Sequence, residues 1–141
     1  MHRCGQGRFD YILLLYTFGY YKKFAAKYRP LLLDEERRLV RRAKKGNQPA
    51  RKKLLLHLIG FFIFRIETTL YPPVRREFGE DILQECILFA ETKIKSYNLR
   101  YKDKKGLFKK VYFRTYIWKG VTGVMFMYLK KNRTPLQLCQ K

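Results

Sequence analysis

The sequence predicts an all-α fold, and three observations carry that prediction. Apolar residues recur at helical spacing in successive segments, no stretch alternates with period two for long, and no hairpin turn dipeptide separates apolar runs. The expected architecture is a compact helical domain of about four main helices over residues 31–131. An aromatic N-terminal extension (1–30), with a further helix around 11–27, precedes it, and a tail (132–141) follows. With 141 residues the chain can bury a core without cross-links, and no segment repeats at a fixed period.

The elements follow in order. Pro30 marks a boundary, because the residue before a proline is pushed out of helical geometry. From Asp34, "DEERRLVRRAKKGN" puts acids in the first turn and bases in the last, which suits the helix dipole. Its apolar stripe is Leu39, Val40 and Ala43, and Gly46-Asn47 stops it. A second helix is expected from Gln48 or Pro49 to about Leu70. It carries "LLLHLIGFFIF", apolar nearly all round, and is the expected central core helix, with His57 a core histidine holding a local hydrogen bond. Tyr71-Pro72-Pro73 ends it. A third helix is expected from about Glu80 to Tyr97. A mixed-charge loop, "NLRYKDKKG", follows, and a fourth helix runs from near Leu107 to about Leu129.

Charge narrows the function. The chain has 32 Lys+Arg against 11 Asp+Glu, a formal charge of +21, so a polyanion is the expected partner. Nucleic acid fits better than a membrane. The apolar run "YILLLYTFGYY" has 11 residues against roughly 20 needed to span a bilayer, and Asp10 beside it argues against a signal peptide. Three widely spaced cysteines (Cys4, Cys86, Cys139) point to a reducing, cytoplasmic setting. "CGQGRF" lacks the strand and third glycine of a nucleotide fingerprint, and His2 with Cys4 lacks zinc-site spacing. No nucleophile–base pair is evident. The expectation is a protein that is not an enzyme, with no catalytic residues, metal or cofactor.

Two helices divide into contrasting faces on a wheel of 100 degrees per residue. In the third, Ile82, Leu83, Cys86, Ala90, Ile94 and Tyr97 form the core side. Asp81, Gln84, Glu85, Leu88 and Thr92 form the other. Five of the 11 acids fall between Glu77 and Glu91, and Leu88 sits among them, as in a small interface for a basic partner. A plain solvated face is the alternative. In the fourth, Phe113, Ile117, Gly120, Val121, Val124 and Tyr128 form the core stripe. Tyr112, Thr115, Tyr116, Lys119, Gly123, Phe126 and Lys130 lie opposite, and Trp118, Met125 and Leu129 form a flanking strip. Residues 99–131 hold ten Lys+Arg, Lys109, Lys110 and Arg114 among them, against Asp103 alone. Aromatic rings among cations suit single-stranded nucleic acid, where a base stacked on a ring is worth about 1–3 kcal/mol. The alternative is that a helix from residues 1–30 covers this face.

Three stretches together resemble region 2 of bacterial RNA polymerase sigma factors. "EDILQECILFAETKIKSYN" is similar to the family's "(D/E)DLxQEGxxGLxxAxxxFD", through Asp81, Leu83, Gln84 and Glu85. "FRTYIWKGVTGVMFMYLK" is similar to "FxTYAxxxIRGAIxxxLR", through Phe113, Thr115, Tyr116, Val121, Gly123, Leu129 and Lys130. Upstream, "LDEERRLVRRAKKGNQPARKKLL" resembles the helix that precedes region 2. The resemblance covers about residues 31–131 and implies a transcription initiation module. By position, Asp81, Gln84 and Glu85, with Leu88 and Glu91 beside them, would dock on the clamp helices of the polymerase beta-prime subunit. Tyr116 would stack on a base flipped from the non-template strand of the promoter −10 element. Lys109, Lys110, Tyr112, Arg114, Thr115, Trp118, Lys119 and Thr122 would hold the opened strand.

The chain also departs from the pattern. Lys119 and Gly120 stand where many members carry paired tryptophans, with Trp118 one place earlier. Gly123 stands at the position commonly used to read the upstream −10 base, and Cys86 replaces the glycine of "QEG". Glycines 120 and 123 weaken a helix by roughly 1 kcal/mol each relative to alanine. No helix-turn-helix for the −35 element follows residue 131. The expectation is therefore a truncated chain, or a two-part sigma whose −35 reader is a separate protein. Two rivals are a basic RNA- or DNA-binding protein with no polymerase contact, and a sigma-fold scaffold that has lost promoter opening.

Overall fold

The computed structural model describes residues 21–132, and within them the fold is all-α. The described residues form five helices: α1, described over residues 21–26, α2 (Leu33–Lys44), α3 (Gln48–Thr69), α4 (Pro72–Lys93) and α5 (Phe113–Asn132). The rest of the expected N-terminal helix and the tail beyond Asn132 lie outside the described residues.

Local chemistry sets the boundaries. Leu32 N–H donates to the Glu35 carboxylate at 3.0 Å, half of a capping box for α2, and Arg29 grips the same carboxylate at 3.1 and 3.2 Å. Gly46, at φ 93°, ends α2 in a conformation that favours glycine. Asn47 Oδ1 then accepts from Ala50 N–H at 2.9 Å and caps α3, with Pro49 in the first turn.

Expected boundaries move at two helices. The third helix was expected from about Glu80 to Tyr97, but α4 begins at Pro72 and ends at Lys93. Prolines that cannot continue α3 serve well in a first turn, where their missing N–H groups have no intrahelical partner. Arg75 locks this corner, donating to the Glu67 and Leu70 carbonyls at 3.0 Å each. The last helix begins at Phe113 instead of Leu107, because residues 101–109 fold back on themselves. Asp103 Oδ1 accepts from the Lys105 and Leu107 amides at 2.9 Å, Gly106 turns at φ 79°, and Lys102 pairs with Phe108 in one isolated antiparallel bridge.

The core is one cluster drawn from α2, α3, α4 and α5 and the segments joining them. α3 packs against the other three and holds Leu54, Leu58, Phe62, Ile63 and Ile66 inside, as its apolar surface predicts. All six residues expected on the core side of the third helix are buried, Ile94 and Tyr97 lying just past the end of α4. In α5 the buried seam is Phe113, Ile117, Val121, Met125 and Leu129. The expected core positions Val124 and Tyr128 are only partly buried, and Met125 and Leu129 take their places. His57 is half-buried, and its hydrogen bond is long-range in sequence: Nδ1–H donates to the Arg29 carbonyl at 2.7 Å. Among the described residues no helix is long and apolar enough to cross a membrane.

Candidate nucleic-acid interface

α5 is positioned from its N-terminus. Glu36 of α2 is only 1 % exposed and accepts from the Phe113 N–H at 2.5 Å, with Arg114 Nη1 at 3.8 Å from its other oxygen. A carboxylate there satisfies a free helix-end donor and meets the positive end of the helix dipole. Burial pushes the Glu36 carboxyl above its ordinary range, while the Phe113 amide and Arg114 pull it back. Nothing in the motif pattern named Glu36. Its place three and four residues before Leu39 and Val40, on their own stripe, was the available signal.

The aromatic residues of α5 form two separate sets. Tyr116 is 41 % exposed, its hydroxyl hydrogen-bonded to Ser96 Oγ at 2.8 Å and its ring beside Tyr97 at 5.4 Å between centroids. Trp118, also 41 % exposed, lies on another side of the helix. The Arg65 guanidinium sits 3.9 Å over it and Phe61 lies 5.6 Å away. Arg114, one turn before Trp118, stacks 4.0 Å over the Tyr112 ring. Two rings on this side therefore each carry a guanidinium, Tyr112 that of Arg114 and Trp118 that of Arg65, with Phe61 beside Trp118. Phe61 and Arg65 come from α3 and had no motif to announce them.

The other expected nucleic-acid contacts are spread more widely. Thr115 and Lys119 are exposed on α5. Lys109 and Lys110 precede the helix, facing Asp103 at 3.9 Å and Asp34 at 3.1 Å. Thr122 is half-buried and accepts from the Arg65 guanidinium, so it faces α3. The described part of the N-terminal extension leaves Tyr116 uncovered. Ala25 approaches Gly60, Tyr28 meets His57 and Lys22 pairs with Glu67, all on α3.

The acidic strip stands on α4. Asp81, Gln84, Glu85 and Leu88 are exposed, Leu88 by 55 %. Asp81 accepts from the Tyr128 hydroxyl at 3.0 Å, and burial, then Asp81 and Glu85, raise the pKa of that tyrosine. A groove of about 300 Å³ beside it is lined by Glu85, Val124, Met127 and Tyr128, so α5 contributes to this side as well. Glu91 turns away to Arg51 at 3.6 Å, toward the start of α3. Cys86, under the strip, is fully buried and its thiol is pushed up to about 12, chiefly by burial, which makes it inert at neutral pH. Cys4 and Cys139 lie outside the described residues.

No protein-family model matches the chain, and neither a curated protein nor a solved structure is found to be similar to it.

Proposed function

We propose that the chain is a sigma region 2-like transcription initiation module. It binds the beta-prime clamp helices of core RNA polymerase through Gln84, Glu85 and Leu88, with Asp81 at the edge. It holds the non-template strand of an opened −10 element through Tyr116 and the Tyr112–Arg114–Trp118 row. Such a module acts in the cytoplasm, alongside a −35 reader on a separate protein or chain segment. The observation that supports this most is the division of two helices into opposite chemistries. An acidic strip with an exposed leucine lies on α4, and half-exposed aromatics among cations lie on α5.

Two measurements test it. The protein is first captured with core polymerase or with isolated clamp helices, and failure to bind either one sinks the reading. A −10 non-template oligonucleotide is then titrated by fluorescence anisotropy. Tyr116→Ala should lose about 1–3 kcal/mol of that binding and keep polymerase capture. Glu85→Ala with Leu88→Ala should do the reverse. A basic nucleic-acid-binding protein without polymerase contact is the second reading. It is favoured by one observation, that the Tyr128 hydroxyl already occupies Asp81.

A further inference from the structure

We propose that the cleft between α2 and residues 99–108 is a phosphate-binding site for a nucleic-acid backbone, separate from the aromatic rows of α5. The cleft is about 810 Å³, and six of its lining residues are cations: Arg37, Arg41, Lys44, Lys45, Arg100 and Lys102. Leu99 and Phe108 complete it, and no carboxylate among the described residues lines it. Neighbouring acids are engaged elsewhere. Asp34 pairs with Lys110, Asp103 accepts from loop amides, and Glu36 turns to Phe113 and Arg114.

Arg37 is what makes the cleft a built site. It is only 7 % exposed, its Nη2 donates to the Leu99 carbonyl at 2.7 Å, and its guanidinium lies 5.8 Å from the Phe108 ring centroid. Its guanidinium lies against the Tyr97 hydroxyl, and no ion pair within the described residues neutralises its charge. A guanidinium held in place without a counter-charge keeps its positive field on the cleft. Lys44, two turns further along the same face of α2, ties that wall to the chain after α4, donating to the Lys95 and Tyr97 carbonyls at 2.8 and 2.6 Å. Arg41, Lys45, Arg100 and Lys102 are exposed at the rim. Guanidinium forks and ammonium groups around an acid-free cleft are the chemistry of phosphoryl oxygens. Cations continue past the cleft through Lys104, Lys105 and Lys109, which suits a chain of phosphates better than one.

This inference rests on nucleic-acid binding, and on neither polymerase contact nor base capture by Tyr116. The test uses the full chain and a labelled 20-nucleotide single strand of mixed sequence, followed by anisotropy across a salt series. The triple variant Arg41→Ala, Lys45→Ala, Lys102→Ala removes exposed rim cations, and thermal melts check that the fold is kept. Lys52→Ala, Lys53→Ala, Arg76→Ala is the charge-matched control. At about 0.7 per phosphate contact, the cleft triple should lower the slope of log K against log salt by about 2, and the control by much less. Tyr116→Ala should leave that slope unchanged. Equal losses from the two triples overturn the cleft and leave the Tyr116 reading standing. A wild-type chain that binds no strand removes both. Displacement of the strand by inorganic tripolyphosphate, at matched ionic strength and only when the cleft is intact, would reassign the site to a free polyphosphate.

Discussion

At the residue scale, two glycines that look alike in sequence behave oppositely. A Cβ at Gly120 would stand 2.2 Å from the Phe89 ring of α4, whereas one at Gly123 would meet nothing within 4 Å. Gly120→Ala should therefore destabilise by about 1–3 kcal/mol through overpacking, and Gly123→Ala should stabilise by roughly 1 kcal/mol through helix propensity. Denaturant melts of both variants decide this, and equal effects would contradict it. Phe89 also gives a physical account of one departure from the sigma pattern, since its ring fills the space that a side chain at residue 120 would need. Glu36 supplies a second prediction. Burial raises its pKa, so the folded state binds the proton more tightly than the unfolded state does. Its protonation contributes stability that is fully present below the unfolded pKa and lost as pH rises through the folded one. Glu36→Gln keeps an acceptor for the Phe113 amide without the charge, so the wild type should lose stability relative to this variant as pH rises from the ordinary glutamate range toward neutrality. Paired thermal melts at the two ends of that range measure it, and a constant difference would show that Glu36 titrates normally.

At the element scale, α5 carries two aromatic sets on different sides, so a single strand that engages both has to wrap around the helix. Trp118 is the only tryptophan, so its emission reports the Tyr112–Arg114–Trp118 row alone. Stacking of bases on that row should quench the emission during titration with a −10 oligonucleotide, and Tyr116→Ala should weaken binding yet keep the quench at saturation. Binding without any change in emission would remove the row from the interface. The two-sidedness of α5 was only partly legible in the sequence. A wheel finds one apolar centre, and all six positions it placed on the core side of the third helix are buried, although Val74 and Gly79, in the part of α4 before the expected start, were missed. α5 packs against both α3 and α4, so its buried seam steps every four residues and drifts about 40 degrees each time. That drift moves Met125 and Leu129 inside in place of Val124 and Tyr128. The fold-back of residues 101–109 had a usable signal in "DKKG", an aspartate three residues before a glycine, which is ordinary turn chemistry. The Glu36–Phe113 contact, 77 residues apart in sequence, had no local trace beyond its place on the α2 stripe.

At the scale of the whole molecule, the charge of +21 acts in opposite directions on folding and on binding. Few acids are present to offset it, and several of those serve structural ends: Glu35 with Arg29, Glu36 with α5, Asp103 with its turn. The exposed cations therefore repel one another in the free protein, most strongly where Arg41, Lys45, Arg100 and Lys102 surround one cleft. Salt screens that repulsion, the Debye length falling from about 14 Å at 0.05 M to about 4 Å at 0.5 M. Raising salt across this range should raise the melting temperature of the free protein, because the folded state concentrates charge that the unfolded chain spreads out. The same change should weaken binding of a single strand steeply, because each phosphate contact releases a condensed counterion. Melts with and without a saturating oligonucleotide therefore have to converge as salt increases, the free curve rising while the stabilisation by ligand shrinks. A melting temperature of the free protein that falls with salt would mean that its stability depends more on ion pairs than on relief from repulsion. The exposure of most of the six ion pairs among the described residues argues against that outcome.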